Sequence, residues 1–173
     1  MHESSAAAPE IVEVATAKER HYRIHYGAIG HSFEAIFADY LRGADEISIE
    51  DPYIRQHHQI VNFLRFCEVA VRFGPPKLIH LTTRFDNDLE RDEAMAKLFS
   101  IVDSLKESGV RLEVKTDSNL HDRDIRLSNG WRIQIGRGFD IYQKPEDWLQ
   151  LGANDLALRP CLETTVDITR SSA

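Results

Sequence analysis

His121 and Arg123, two residues apart, carry side chains that phosphodiester chemistry uses. An imidazole can attack phosphorus or transfer a proton, and a guanidinium can bind two phosphate oxygens through its planar N–H groups. Asp51, Arg126 and Asn129 carry further polar groups that can bind an anion or support the residues that do. The pattern predicts a phosphate-binding site formed by these five residues, with His121 as the candidate nucleophile.

Each of these residues also has a purely structural interpretation. His121 can hydrogen-bond backbone groups and order the turn before a strand, and Asp51 can cap the helix that follows it. Arg126, Arg132 and Arg137 can be ordinary solvent-facing residues, because alternation along a strand exposes every second side chain. These alternatives stay open at the level of the sequence.

Composition argues against several classes of protein. The 173 residues suit one domain, and the net charge of −7 argues against general attraction to nucleic acid or anionic membranes. Residues 53–84 nevertheless hold five Arg or Lys against one acid, which predicts a locally basic face. No apolar run reaches the roughly 18 residues that a membrane-spanning helix needs. Two cysteines are too few for a disulfide framework, which favours a reducing, cytoplasmic compartment.

Hydrophobic periodicity predicts one folded domain over residues 21–173 after a flexible tail over residues 1–20. Helices between strands predict right-handed crossovers, hence an α/β fold with a mixed, mostly parallel sheet flanked by helices. Ser128-Asn129-Gly130 predicts an added β-hairpin. The predicted strands are 21–27, 46–53, 77–83, 110–115, 124–127, 131–135 and 164–168, and the helices are 30–41, 55–73 and 90–107. Since ligands bind beyond the carboxyl ends of such strands, we expect residues 50–51, 82–86 and 117–121 to converge.

Other motifs bear on cofactors. His57 and His58 are adjacent, whereas two ligands on one helix face need a spacing of three or four residues, so we predict no metal site. Gly136 and Gly138 precede no predicted helix, so we predict no nucleotide-binding loop and no cofactor. We expect a satellite aromatic cluster around Lys144; an exposed aromatic there would instead suit a membrane interface. The cluster would comprise Phe139, Ile141, Tyr142 and Trp148.

Four long segments occur in the same order in one known domain type. They are EISIEDPYIRQHHQIVNFLRFCE (46–68), KLIHLTT (77–83), HDRDIRLSNGWRIQIGRGFDIYQKP (121–145) and LRPCLETTVDI (158–168). In these segments the chain resembles the phospholipase-D-like domain that follows the MIT (microtubule interacting and trafficking) domain, which defines the MIT C-terminal domain family. The resemblance covers roughly residues 22–168.

The resemblance implies a phospholipase-D-like fold, a homodimer, no demonstrated catalysis, and association with acidic phospholipids including phosphoinositides. Phospholipase-D-like enzymes use His-x-Lys with an aspartate seven residues after the histidine, and this frame reads His121, Arg123 and Ser128 here. A serine cannot charge-stabilise an imidazolium. The carboxylates that could substitute are Asp122, Asp124 and Asp167. Residues 1–20 are too short for a three-helix MIT domain, so a contact with ESCRT-III is not implied.

These observations predict a non-catalytic, homodimeric binding module that recognises an anionic phosphate headgroup or a protein partner, in the cytoplasm or peripherally on a membrane. Nucleic acid is not an expected partner. Two alternatives stay open. One is a phosphodiesterase acting on phospholipid or nucleic acid, with His121 donated by each protomer. The other is a protein-interaction module that dimerises and binds no phosphate ligand.

Overall fold

The computed structural model describes residues 16–171, which form three helices and a seven-stranded sheet. Residues 1–15 of the predicted tail lie outside the described residues, and the first strand begins at Arg20. The elements in chain order are β1 (Arg20–Ile24), α1 (Phe33–Leu41), β2 (Glu46–Glu50), α2 (His57–Phe73), β3 (Leu78–Thr83), α3 (Asp88–Glu107), β4 (Arg111–Thr116), β5 (Asp124–Leu127), β6 (Trp131–Ile135) and β7 (Thr164–Arg170). None of the described helices is long and apolar enough to cross a membrane.

Local hydrogen bonds explain where the helices begin. The side-chain oxygens of Ser32 and Asn87 accept backbone N–H groups at the first turns of α1 and α3. Helix α2 begins at His57, two residues later than predicted. The side chain of Gln59 accepts the backbone N–H groups of residues 55 and 56, at 3.2 and 2.9 Å, and so holds them outside the helix.

The sheet is mixed, but the prediction that it is mostly parallel was wrong. The strand order is β1-β7-β6-β5-β2-β3-β4. Only the pairings β2–β3 and β3–β4 are parallel, and the other described pairings are antiparallel. The chain after α1 does not return beside β1, which pairs instead with the last strand, and the later strands β5, β6 and β7 follow one another without an intervening helix.

The helices cover one face of this sheet. Alternate strand residues such as Ile47, Ile49, Ile79 and Leu81 are fully buried among the helices, whereas their neighbours along β2 are exposed. The opposite face is polar. Asp124, for example, lies between two guanidiniums on that face, with its oxygens 2.8 and 2.9 Å from them. The fold therefore has one apolar core on one side of the sheet and a charged, open surface on the other.

The predicted satellite aromatic cluster does not exist as a separate unit. Phe139 packs in the main core, with ring centroids 5.0 Å from Phe66 and 5.7 Å from Phe33. Tyr142 joins the same core, and its hydroxyl donates to the carbonyl of His31. Trp148 was expected to be buried with them, but 56% of its surface is exposed. Phe33 on helix α1 packs against both Phe139 and Tyr142, and these contacts place the 139–142 segment in the main core.

Candidate functional site

The carboxyl ends of β2 and β3 and the segment before β5 meet at one edge of the sheet. Asp51 follows β2 directly, and its amide donates to the carbonyl of Thr82 on β3 at 3.0 Å. The amide of Asp117, just after β4, donates to Thr83 at 3.0 Å. These bonds extend the strand ladder past its ends. The three segments predicted to converge are therefore neighbours, and they place His121 and Arg123 near Asp51.

Arg123 is held in place by three different contacts. Its Nε donates to Asp51 Oδ1 at 3.3 Å, and its Nη1 donates to the carbonyl of Gly136 at 2.8 Å. Its guanidinium carbon lies 4.5 Å from the ring centroid of Tyr53. The arginine is thus fixed by an ion pair, a carbonyl and an aromatic face, which makes it a rigid cation at the edge of the sheet.

Asp51 supports Arg123 rather than capping a helix. The structural alternative of a helix cap was wrong, because α2 begins six residues later and Asp51 Oδ1 accepts the amide of Tyr53 at 2.9 Å in a local turn. Burial raises the pKa of the Asp51 carboxyl; the Tyr53 amide and the Arg123 charge oppose that rise, and the charge of Asp140 adds to it. The ion pair with Arg123 therefore does not fully offset the desolvation of the carboxylate.

Gly138 lets the backbone pass directly over this ion pair. Its φ of +60° lies in the left-handed region, where a side chain is strained. A Cβ built on Gly138 would collide with Asp51 Oδ2 and lie 3.0 Å from Cδ and 3.1 Å from Nε of Arg123. Only a glycine at this position leaves room for the paired side chains.

Arg84 is a further candidate site residue, which lies in the segment 82–86 but was not among the five predicted residues. It follows β3 directly, and its Nη1 lies 3.3 Å from Nδ1 of His121. In the described part of the chain its buried Nε has no hydrogen-bond partner, and neither has Oγ1 of the neighbouring Thr83. Across residues 16–171, no carboxylate lies within ion-pair distance of Arg84. Its position just past the carboxyl end of a parallel strand was the signal available in the sequence.

His121, Arg123 and Tyr53 line a cavity of about 460 Å³. Asp122 and Asp167 line it too, so two of the carboxylates considered as substitutes for the missing aspartate are near the imidazole. Asp167, however, accepts from His21 Nδ1 at 2.9 Å, and neither carboxylate bonds His121 in the described part of the chain. The cavity therefore carries mixed charge. Arg84, whose Nη1 contacts His121, lines a neighbouring concavity of about 200 Å³ together with Asp86, Asp88 and Asp117.

Other candidate residues lie elsewhere. Asn129 lies at the turn between β5 and β6, at the far end of β5 from His121, and donates to the carbonyls of Tyr40 and Arg42 at 2.7 and 3.0 Å. Ser128 lies at the same end and accepts the amide of Glu46 at 2.9 Å. Arg126 pairs with Asp124 on the open face of the sheet. The structure thus brings together His121, Arg123 and Asp51, but not Asn129 or Arg126.

Sequence comparison places this geometry in a known group of domains. The family described as a phospholipase D-like domain at the C-terminus of MIT matches residues 30–170. The chain belongs to this family. MIT domain-containing protein 1 of Mus musculus is 48% identical to this MIT C-terminal domain over 149 residues, which cover 84% of the chain and 59% of the mouse protein. The chain therefore spans less than two thirds of that relative's length.

Membership of a phospholipase D-like family makes the hydrogen bonding of His121 informative. A nucleophilic imidazole attacks through an unprotonated Nε2, while an acceptor such as a carboxylate holds the proton on Nδ1. Arginine can only donate, so the Arg84 contact requires an unprotonated Nδ1, and the neutral ring then carries its proton on Nε2. In this tautomer the imidazole Nε2–H of His121 is available as a hydrogen-bond donor.

Proposed function

We propose that this MIT C-terminal domain binds an anionic phosphate group without cleaving it, through Arg84, His121 and Arg123. The observation that carries the proposal is the 3.3 Å contact between Arg84 Nη1 and His121 Nδ1. It leaves the imidazole Nε2–H and the remaining guanidinium N–H groups as donors, and a phosphate oxygen accepts from both kinds of group. The ligand class that follows is the phosphate headgroup of an acidic phospholipid, including phosphoinositides.

Arg84 forms no ion pair with a carboxylate of residues 16–171, and this supports an anionic ligand. Asp86, Asp88 and Asp117 line the same concavity without pairing with it. A guanidinium that is partly removed from water is stabilised by an opposite charge, and bound phosphate would supply that charge. Arg123 is already paired with Asp51, yet 24% of its side chain stays exposed. Arg123 would supply a positive charge that is fixed in position, whereas Arg84 would supply a positive charge that has no ion-pair partner among residues 16–171.

The same geometry argues against turnover. Phosphodiester cleavage by a histidine needs a nucleophilic nitrogen and a carboxylate that stabilises the imidazolium. Arg84 occupies the place of that acceptor and would repel a positively charged ring. Ser128, which stands where phospholipase-D-like enzymes have aspartate, is at the other end of β5 and offers His121 no acceptor.

Binding is tested with a soluble inositol trisphosphate and with phosphatidylcholine vesicles that do or do not contain phosphatidylinositol phosphate. We expect Arg84→Ala to weaken binding at least about tenfold, because a hydrogen bond to a charged group contributes about 1.5–3 kcal/mol. Arg111→Ala is the matched control. Arg111 begins β4, at the end of the sheet opposite to the one where Arg84 follows β3, and 76% of its side chain is exposed. Equal losses in both variants, or no salt-sensitive binding by the wild-type protein, would contradict the proposal.

A chromogenic phosphodiester tests the phosphodiesterase alternative directly. We expect wild-type protein and His121→Ala to show the same background rate without added metal. Hydrolysis by the wild-type protein that the variant loses would establish His121 as a nucleophile and overturn the non-catalytic assignment.

We also propose that the domain is a homodimer that acts at a membrane surface in the cytoplasm. Its single copy of the His121 motif and its family membership support dimerisation. Light scattering that gives a monomer at all concentrations would refute the dimer. The cytoplasmic location stays a prediction.

A further inference from the structure

A second concavity lies away from the edge of the sheet, between α2 and the chain segment after β6. Its volume is about 660 Å³, and its walls are mostly apolar. Val61 on α2 forms one side, and Tyr142, Pro145, Trp148 and Leu162 form the other. We call it the α2 groove. Its size and apolar walls are those of a binding site rather than of a packing defect.

An exposed apolar segment continues from the rim of the α2 groove. Trp148 is 56% exposed, and the chain then presents Leu149 and Leu151, which are 94% and 88% exposed. The turn is well formed: the carboxylate of Asp147 accepts the amide of Leu149 at 2.9 Å. A small molecule inside the groove would leave these leucines in water. A partner that covers both the groove and the leucines must therefore be a macromolecule.

The α2 groove is cationic on an acidic protein. Arg65, Lys144 and Arg159 line it, and among residues 16–171 Asp140 is the only carboxylate in its lining. Arg65 bonds only the side-chain oxygen of Asn62, at 3.0 Å, among described residues.

Arg159 is buried, and among the described residues its guanidinium donates only to backbone carbonyls, including that of Gln143 at 3.2 Å. Within residues 16–171, no salt bridge joins Arg65, Lys144 or Arg159 to a carboxylate. Arg65 and Lys144 therefore line the groove without a neutralising carboxylate among the described residues, while the chain as a whole has a net charge of −7. The surface is complementary to a negatively charged partner that also carries apolar side chains.

We propose that the α2 groove binds an acidic peptide segment of another protein, with an aliphatic or aromatic side chain inserted against Trp148 and Val61. The acidic residues of that segment pair with Arg65 and Lys144, and its apolar face covers Leu149 and Leu151. This site is separate from the phosphate site at Arg84 and His121, and the proposal does not depend on phosphate binding.

A peptide fits the exposed segment better than an anionic membrane does. Glu146 and Asp147 directly precede Trp148, and Asp155 follows the leucines, so the apolar turn is flanked by negative charge. An anionic lipid surface would repel those carboxylates as the turn approached it. A peptide can place its acidic groups over the α2 groove and leave the flanking carboxylates in solvent.

A library of random 16-residue peptides displayed on phage, selected against the full chain, tests the proposal. We expect the enriched peptides to combine acidic residues with leucine, isoleucine or phenylalanine. The best peptide should bind at least tenfold more weakly to Trp148→Ala and to Lys144→Glu. Replacing its acidic residues with lysine should abolish binding to the wild-type protein and restore it to Lys144→Glu.

Matched controls lie on α3, outside the groove. Phe99→Ala removes an aromatic side chain from a residue that is 57% exposed, close to the 56% of Trp148, and Lys97→Glu reverses an exposed charge. Both controls should leave peptide affinity within twofold of wild type. Basic or uncharged enriched peptides, no enrichment, or equal loss in controls would overturn the proposal.

A variant of the exposed turn at Leu149 and Leu151 tests whether a second copy of the chain or a membrane, rather than a peptide, covers these leucines. The double variant Leu149→Ser, Leu151→Ser should still give the wild-type mass by light scattering and the wild-type sedimentation with phosphatidylserine vesicles. A dimer that becomes monomeric would identify a second copy of the chain as the occupant. A loss of vesicle binding would identify a membrane.

Discussion

Replacing Gly138 with alanine is the sharpest test of how the ion pair between Asp51 and Arg123 is built. Gly138 has φ +60°, and a Cβ there would collide with Asp51 Oδ2 and lie 3.0 Å from Arg123 Cδ. A side chain in the left-handed region costs about 1–2 kcal/mol. Forcing an extra methyl group into a packed site costs about 1–3 kcal/mol more. We therefore expect Gly138→Ala to lower the free energy of unfolding by about 2–5 kcal/mol.

Gly43→Ala separates the two contributions. Gly43 also has a positive φ, +78°, but a Cβ there would have nothing within 4 Å. It should lose only about 1–2 kcal/mol, the backbone contribution. Urea denaturation of the wild-type protein and both variants gives the free energies of unfolding to compare.

The difference between the two variants measures the steric effect on the ion pair, and we expect it to be about 1–3 kcal/mol. The displaced Arg123 should also weaken binding of the inositol trisphosphate in Gly138→Ala but not in Gly43→Ala. Equal destabilisation by the two substitutions would refute the close approach of backbone to the ion pair.

Two further substitutions test the roles of Asp51 and Asn129. Because burial raises the pKa of Asp51, the folded state holds its proton more tightly than the unfolded chain does. We therefore expect the free energy of unfolding of the wild-type protein, measured relative to that of Asp51→Asn in urea, to fall as the pH rises. The fall should begin below the ordinary aspartate pKa and level off above the raised one. A relative rise over the same pH range would mean that the Arg123 ion pair outweighs burial. Asn129→Ala removes donors to two carbonyls and should lower the free energy of unfolding by about 1–3 kcal/mol in urea, whereas an unchanged stability or a loss of phosphate affinity would contradict a purely structural role.

The sequence predicted the local elements well because their signals are local. Ser128-Asn129-Gly130 does form the turn between β5 and β6, with Gly130 at φ +99°. All three helices and all seven strands lie within a few residues of their predicted positions. Strand pairing was predicted less well, because the pairing of Arg20 with Ile168 joins residues far apart in the chain, and nothing near either of them specifies the other.

The proximity of the candidate residues was predicted only in part for a related reason. His121, Arg123 and Asp51 were grouped because they lie in or beside conspicuous motifs and at strand ends, and their role in binding stays a prediction. Asn129 was grouped with His121 because it is only eight residues away in the chain. The extended strand β5 lies between the two residues and puts Asn129 at its far end. Arg84 lies in the segment 82–86 that was expected to converge, but it was not singled out, because a strand-end position does not specify which side chain of the segment contacts His121.

The pairing of β1 with β7 has a consequence for synthesis of the protein. The first strand, Arg20–Ile24, has β7 as its only partner in the described sheet, and β7 is the last of the described strands to be synthesised. The parallel unit β2–β3–β4 can assemble earlier, since its partners are close in the chain. The nascent chain therefore carries β1 unpaired until nearly the whole domain has been translated. Because Arg20 at the start of β1 pairs with Ile168 near the end of β7, the chain enters and leaves the described sheet at neighbouring positions.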